Sequence, residues 1–144
     1  MKPEAAAFLN KAREFLEKAE DMLIDDWPDE AGRAAYLAGL HAAQALIVDR
    51  TGKVIRRHRG VQRELGRLTK DELHFDQELR PFLGRAYNLK AIADYETGPC
   101  SRVSIESARA AIDMARRFVE SITGCLLEAR RLAGLSYTPE RCRP

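Results

Sequence analysis

Residues 34–48 read AAYLAGLHAAQALIV, and this run decides the fold. It is apolar on nearly every face of a helix, so several neighbours must surround it. His41 and Gln44 interrupt it and it is too short to cross a bilayer, so it belongs inside a globule. Its many alanines, with Gly39, let those neighbours approach closely. Pro28 suits the first turn of this helix, Asp29 and Glu30 oppose its positive end, and Gly52 supplies a left-handed C-cap. A central helix over about 28–50 follows, with other helices packed around it.

The flanking sequence supplies those helices. Upstream, Phe8, Ala12, Phe15, Ala19, Met22 and Leu23 recur at helical steps and predict an amphipathic helix over about 3–25, stopped by Asp25-Asp26-Trp27-Pro28. Downstream, VIRRHRGVQRELGRL (54–68) reads as a basic loop leading into a short helix. Thr69 with Glu72 makes a capping-box pattern that opens another segment, and Pro81 marks a kink or a restart. A helix over about 79–96 ends before Gly98-Pro99. Ser104 then caps a long last helix, in which Ile105, Ala108, Ile112, Ala115, Val119, Ile122, Leu126 and Ala129 keep heptad spacing. That run fits an internal seam or a dimer seam, and it motivates the expectation of a homodimer. No strand pattern appears. The fold class is all-α, an antiparallel bundle of four to five helices forming one domain over 1–134, with 135–144 a loosely held tail.

Composition narrows the function. A chain of 144 residues with 45% hydrophobic and 32% charged residues can bury a core without disulfides or metal. The net charge of +2 is too small to mark a nucleic-acid binder by itself, but arginines cluster between 56 and 67. Cys100, Cys125 and Cys142 are odd in number, widely spaced and without His at ligand spacing. This predicts reduced thiols in a cytoplasmic protein and argues against a zinc site; no metal and no cofactor are expected. The charged, amphipathic N-terminus is no signal peptide.

Local enzyme signatures are absent: no GxSxG, P-loop, GxGxxG or HExxH. His41, in the apolar helix, reads either as a core histidine bonded to a neighbouring helix or as part of a polar site between helices. His58, among Arg56, Arg57 and Arg59 and before Gly60, reads as a solvated helix start or as an anion-binding corner. Arg67 and His74 meet a loose Arg-x(4–6)-His pattern that chance explains. Lys90 and Asp94, four apart, make an ordinary helical ion pair. An acid at a helix C-terminus nevertheless opposes the dipole, so Asp94 is either paired with a cation or used.

Three segments, AAYLAGLHAA (34–43), RHRGV (57–61) and KAIADY (90–95), together resemble the HEPN family (higher eukaryote and prokaryote nucleotide-binding domains), in particular its small stand-alone bacterial branch. The likeness covers about residues 10–125. It points at Tyr36 and His41 on the central helix, His58 and Gly60 in the basic loop, and Lys90, Asp94 and Tyr95. Leu40 stands where that branch usually has Phe, and Lys90 where Arg is usual. The family's ribonucleases carry Arg-x(4–6)-His near this helix end. Here Arg85 has no His in reach, and Ala93 stands where active toxins tend to have it.

Two functions follow from the resemblance. The favoured one is a binding and interaction component of a toxin–antitoxin-type pair, beside a nucleotidyltransferase-like partner that can modify a tyrosine such as Tyr95. It would bind RNA or a nucleotide through Tyr36, Arg56, Arg57, His58, Arg59, Lys90, Asp94 and Tyr95. The alternative is a metal-independent endoribonuclease using His41 or His58 with Lys90 and Asp94, since acid–base cleavage needs a group titrating near neutrality.

Overall fold

Helix α2 (Pro28–Thr51) forms the axis around which the other helices pack. Its alanines from Ala31 to Ala45, followed by Leu46, Ile47 and Val48, are buried on all sides, as an unstriped apolar helix requires. The computed structural model describes residues 1–95, 97–98 and 102–135, with side chains as far as 132 in the last helix. Around α2 lie α1 (Pro3–Ile24), α3 (His58–Thr69), α4 (Phe82–Tyr95) and α5 (Ile105–Leu135). No strand occurs among the described residues. The all-α bundle expected from the sequence is the observed architecture.

Small residues set the closest approaches. A Cβ on Gly39 would collide with the Phe82 ring, and one on Gly32 would lie 3.6 Å from Leu89 Cβ, so α4 runs antiparallel along α2. Gly52 takes φ 74° and returns its N–H to Val48, which ends α2 where expected. After it the chain runs without helix or strand through 53–56 and delivers His58 back beside Tyr36.

The heptad positions of α5 resolve the choice left open by the sequence. Ala108, Ile112, Ala115, Val119, Ile122 and Leu126 are buried within this one chain, with the Phe118 ring set against Phe75 and Phe82. From Ala108 to Leu126 the seam is internal, while Ile105 at its start is 41% exposed and Ala129 at its end is partly buried. Ser104 caps α5 as expected, its Oγ accepting from Ser107 N–H at 3.0 Å.

Two boundaries differ from expectation. Thr69 does not open a segment but closes α3: its buried hydroxyl donates 2.7 Å to Leu65 O, one turn behind it. Glu72 pairs with Arg50, and residues 70–76 form turns anchored by buried Phe75. The cap lies later, at Asp76, whose Oδ1 accepts from Glu78 N–H at the head of a single 3-10 turn, Gln77–Leu79. Helix α4 then restarts at Phe82, after Pro81.

No helix among the described residues is long and apolar enough to cross a membrane. The thiol of Cys125 is buried and its pKa is pushed up to about 11, chiefly by desolvation, which makes it a poor nucleophile. Cys100, Cys142 and the tail beyond Leu135 lie outside the described residues.

Candidate functional site

Tyr36 projects from α2 toward the start of α3 and is only 2% exposed. Its hydroxyl needs a partner there, and finds one in Nδ1 of His58 at 2.9 Å. Burial, with Tyr87 nearby, pushes the Tyr36 pKa up to about 12, so the phenol stays protonated at neutral pH. A protonated hydroxyl can donate to a bare Nδ1 or accept from Nδ1–H. His58 therefore keeps this bond in either tautomer. Burial first, and the Arg59 charge second, hold the His58 pKa below its ordinary 6.5, so the ring is mainly neutral at pH 7.

Tyr87 of α4 stacks on His58, with centroids 4.2 Å apart and planes at 20°, and meets Tyr36 edge-on at 5.6 Å. Three residues along the same helix face, the Lys90 ammonium lies 5.9 Å from the Tyr87 centroid and 5.5 Å from that of Tyr95. Tyr95 is 72% exposed. The result is a ladder of rings and one cation, His58–Tyr87–Lys90–Tyr95, that reaches open solvent at its outer end.

Asp94 is held from two sides. Lys90 Nζ donates to Oδ2 and Arg33 Nε to Oδ1, each at 2.7 Å. The Lys90 hydrogen bond, helped by Arg33, lowers the Asp94 pKa, and the same bond raises that of Lys90. Two cations thus answer the unfavourable placement of an acid at a helix end, and they leave Asp94 no role as a proton donor at neutral pH. Arg56, Arg57 and Arg59, next to His58 in sequence, and Arg63 of α3 are exposed and make no ion pair among the described residues. No group of three or more His, Cys, Asp or Glu among those residues is arranged to hold a metal ion.

The model of the HEPN domain matches residues 5–125, a span that includes the central helix, the basic segment and α4. The chain belongs to the HEPN domain family. Its fold is similar to that in the crystal structure of TT1696 from Thermus thermophilus, with a TM-score of 0.74 over 86% of this chain and 99% of that one. The two sequences are 22% identical, so this likeness speaks to the fold alone. A comparison with curated proteins finds no match.

Within this HEPN domain the three sequence segments meet. Tyr36, His58, Lys90, Asp94 and Tyr95 share one corner through the contacts above. His41 stands apart. Five residues beyond Tyr36, it faces about 140° around the helix, toward α1, where its ring stacks on Phe8 and Phe15. Its hydrogen bond goes to Gln44 of its own helix, not to a neighbouring one. Arg67 pairs with Glu64 on α3, while His74 lies 3.8 Å from Glu128 of α5.

Arg33 and Tyr87 escape the sequence reading. Each is marked by spacing alone: Arg33 sits one turn before Tyr36, and Tyr87 one turn before Lys90, on the faces already singled out.

Proposed function

We propose that this HEPN domain binds single-stranded RNA at the His58–Tyr87–Lys90–Tyr95 ladder. In this reading it is the binding half of a cytoplasmic toxin–antitoxin-type pair. Single strands are held by stacking on rings and by attraction of phosphates to a cationic edge. The observation that carries the proposal is a ladder of rings and one cation open to solvent, whose His58 is flanked in sequence by exposed Arg56, Arg57 and Arg59, none with a carboxylate partner among the described residues. A nucleotidyltransferase-like partner, with Tyr95 as the residue it modifies, rests on the family resemblance alone. Fluorescence anisotropy with a labelled single-stranded RNA tests the binding. Affinity should fall steeply between low and physiological salt, and affinity that does not respond to salt would refute phosphate contact.

The alternative, a metal-independent ribonuclease, draws on one observation. His58 is mainly neutral and keeps its Tyr36 bond whether or not Nδ1 carries a proton, as a proton-transferring histidine must. Asp94 is fully engaged by cations, however, and Ala93 stands where active relatives are expected to carry histidine. The purified protein should leave labelled RNA intact. Cleavage that disappears in His58→Ala would favour the enzyme.

A further inference from the structure

His41, remote from the ladder, belongs to a second polar chain inside the bundle. Its ring lies against Phe8 and Phe15 of α1, with centroids 6.1 and 5.4 Å away and planes at 24° to each. Nδ1 is 2.8 Å from Gln44 Oε1, and Gln44 Nε2 donates 2.8 Å to the carbonyl of Ile55. Gln44 is 5% exposed, so both of its bonds are made away from water.

Hydrogen-bond chemistry fixes the protons along this chain. The Ile55 carbonyl can only accept, so the amide NH2 of Gln44 must face it. The amide oxygen then faces His41, and it too can only accept. Nδ1 of His41 therefore carries a hydrogen, and the neutral ring leaves Nε2 bare.

The far end of the chain matters for the ladder. Ile55 lies in the connection between α2 and α3, and the Gln44 bond is the one hydrogen bond that described residues give the backbone of 54–56. The Ile55 side chain presses on the first turn of α3: a Cβ on Gly60 would come within 2.8 Å of its Cγ2. Arg56, Arg57 and His58 follow Ile55 directly. Contact thus runs from α1 through His41 and Gln44 to the segment that presents the basic edge.

We propose that His41 is a positioning residue: its Nδ1–H orients the Gln44 amide, which pins Ile55 and so sets the backbone carrying Arg56, Arg57 and His58. The effect on binding rests on the RNA-binding reading, whereas the tautomer and the pinning do not.

The test uses the full chain, imidazole ¹⁵N NMR above pH 7, ¹⁵N relaxation of residues 54–57, and binding of labelled single-stranded RNA. The wild type should show the Nδ1–H tautomer. His41→Leu and Gln44→Leu should each loosen 54–57 and weaken RNA binding about fivefold, the scale of one net hydrogen bond. His41→Asn, whose side-chain N–H can take the place of Nδ1–H, should restore both. An Nε2–H tautomer would overturn the proposal, and so would rigid 54–57 in both leucine variants. Should one leucine variant fail to fold, the wild-type tautomer and the other variant still decide. If the wild type bound no RNA, the RNA reading would fall, while tautomer and backbone mobility would continue to judge the positioning.

Discussion

The phenol of Tyr36 and Nδ1 of His58 lie 2.9 Å apart, joining the middle of the apolar helix to the first residue of α3. This bond brings a loop histidine into a fixed place on the bundle. Tyr36→Phe removes the hydroxyl and leaves Nδ1 of a partly buried ring without its partner. The expected cost is about 1 kcal/mol, or roughly 3 °C in Tm, read by thermal unfolding. An unchanged Tm would mean that the bond contributes nothing.

Asp94 separates a structural acid from a catalytic or ligand-binding one. Its carboxylate neutralises Lys90 and Arg33 on a side chain 19% exposed, so Asp94→Asn should cost at most about 1 kcal/mol of stability. The same change frees two cations and removes one negative charge beside the ladder. RNA should therefore bind more tightly, with a steeper salt dependence. Weaker binding in titrations of this variant would make Asp94 a direct contact.

Acid should weaken the fold through its histidines. His41 and His58 both have pKa values below the ordinary 6.5, first because burial penalises the cation. Between the folded values and 6.5 the unfolded chain binds more protons, so stability rises with pH. The contribution is complete above 6.5, is lost as pH falls through the folded values, and changes no further below them. Chemical denaturation across pH ~4.5–8 should show this slope, reduced in His41→Asn. A flat profile would contradict the depressed pKa values.

The homodimer expectation has lost its first motive, since the α5 heptads are used inside the chain. We retain it as a proposal on another surface, the apolar groove of about 310 Å³ between α4 and α5, lined by Phe82, Ala86, Leu89, Ala111 and Met114. Sedimentation at micromolar concentration should then give twice the 16.2 kDa chain mass, and Met114→Glu should halve it. A wild-type monomer at high concentration removes this proposal.

Periodicity makes the bundle legible because α2 and α5 obey it over many turns: an unstriped alanine run must be central, and heptads must bury a seam. The Thr69 boundary is not legible, because a Thr-x-x-Glu pattern does not say whether the hydroxyl meets a free N–H or a carbonyl behind it. Tyr36, His58, Lys90, Asp94 and Tyr95 are visible as separate signals, but their meeting depends on the 52–57 connection, which has no periodicity. His41 groups with them in the sequence because it shares a helix with Tyr36, and only the turn of about 140° between the two sets it on the other side. Tyr87 stays hidden because a tyrosine on a partly exposed face carries no signal until its ring partner is known.

The central claim is that the ladder binds single-stranded RNA by stacking, and Tyr95 tests it most directly because its exposed ring contributes little to the fold. Affinity for a labelled single-stranded RNA should be measured at fixed salt for the wild type, Tyr95→Phe and Tyr95→Ala. The phenylalanine variant keeps the stacking face and should bind like the wild type. The alanine variant should lose about 1–3 kcal/mol of binding with an unchanged Tm and salt slope. Equal affinity of all three proteins, or loss in Tyr95→Phe as large as in Tyr95→Ala, would contradict the account.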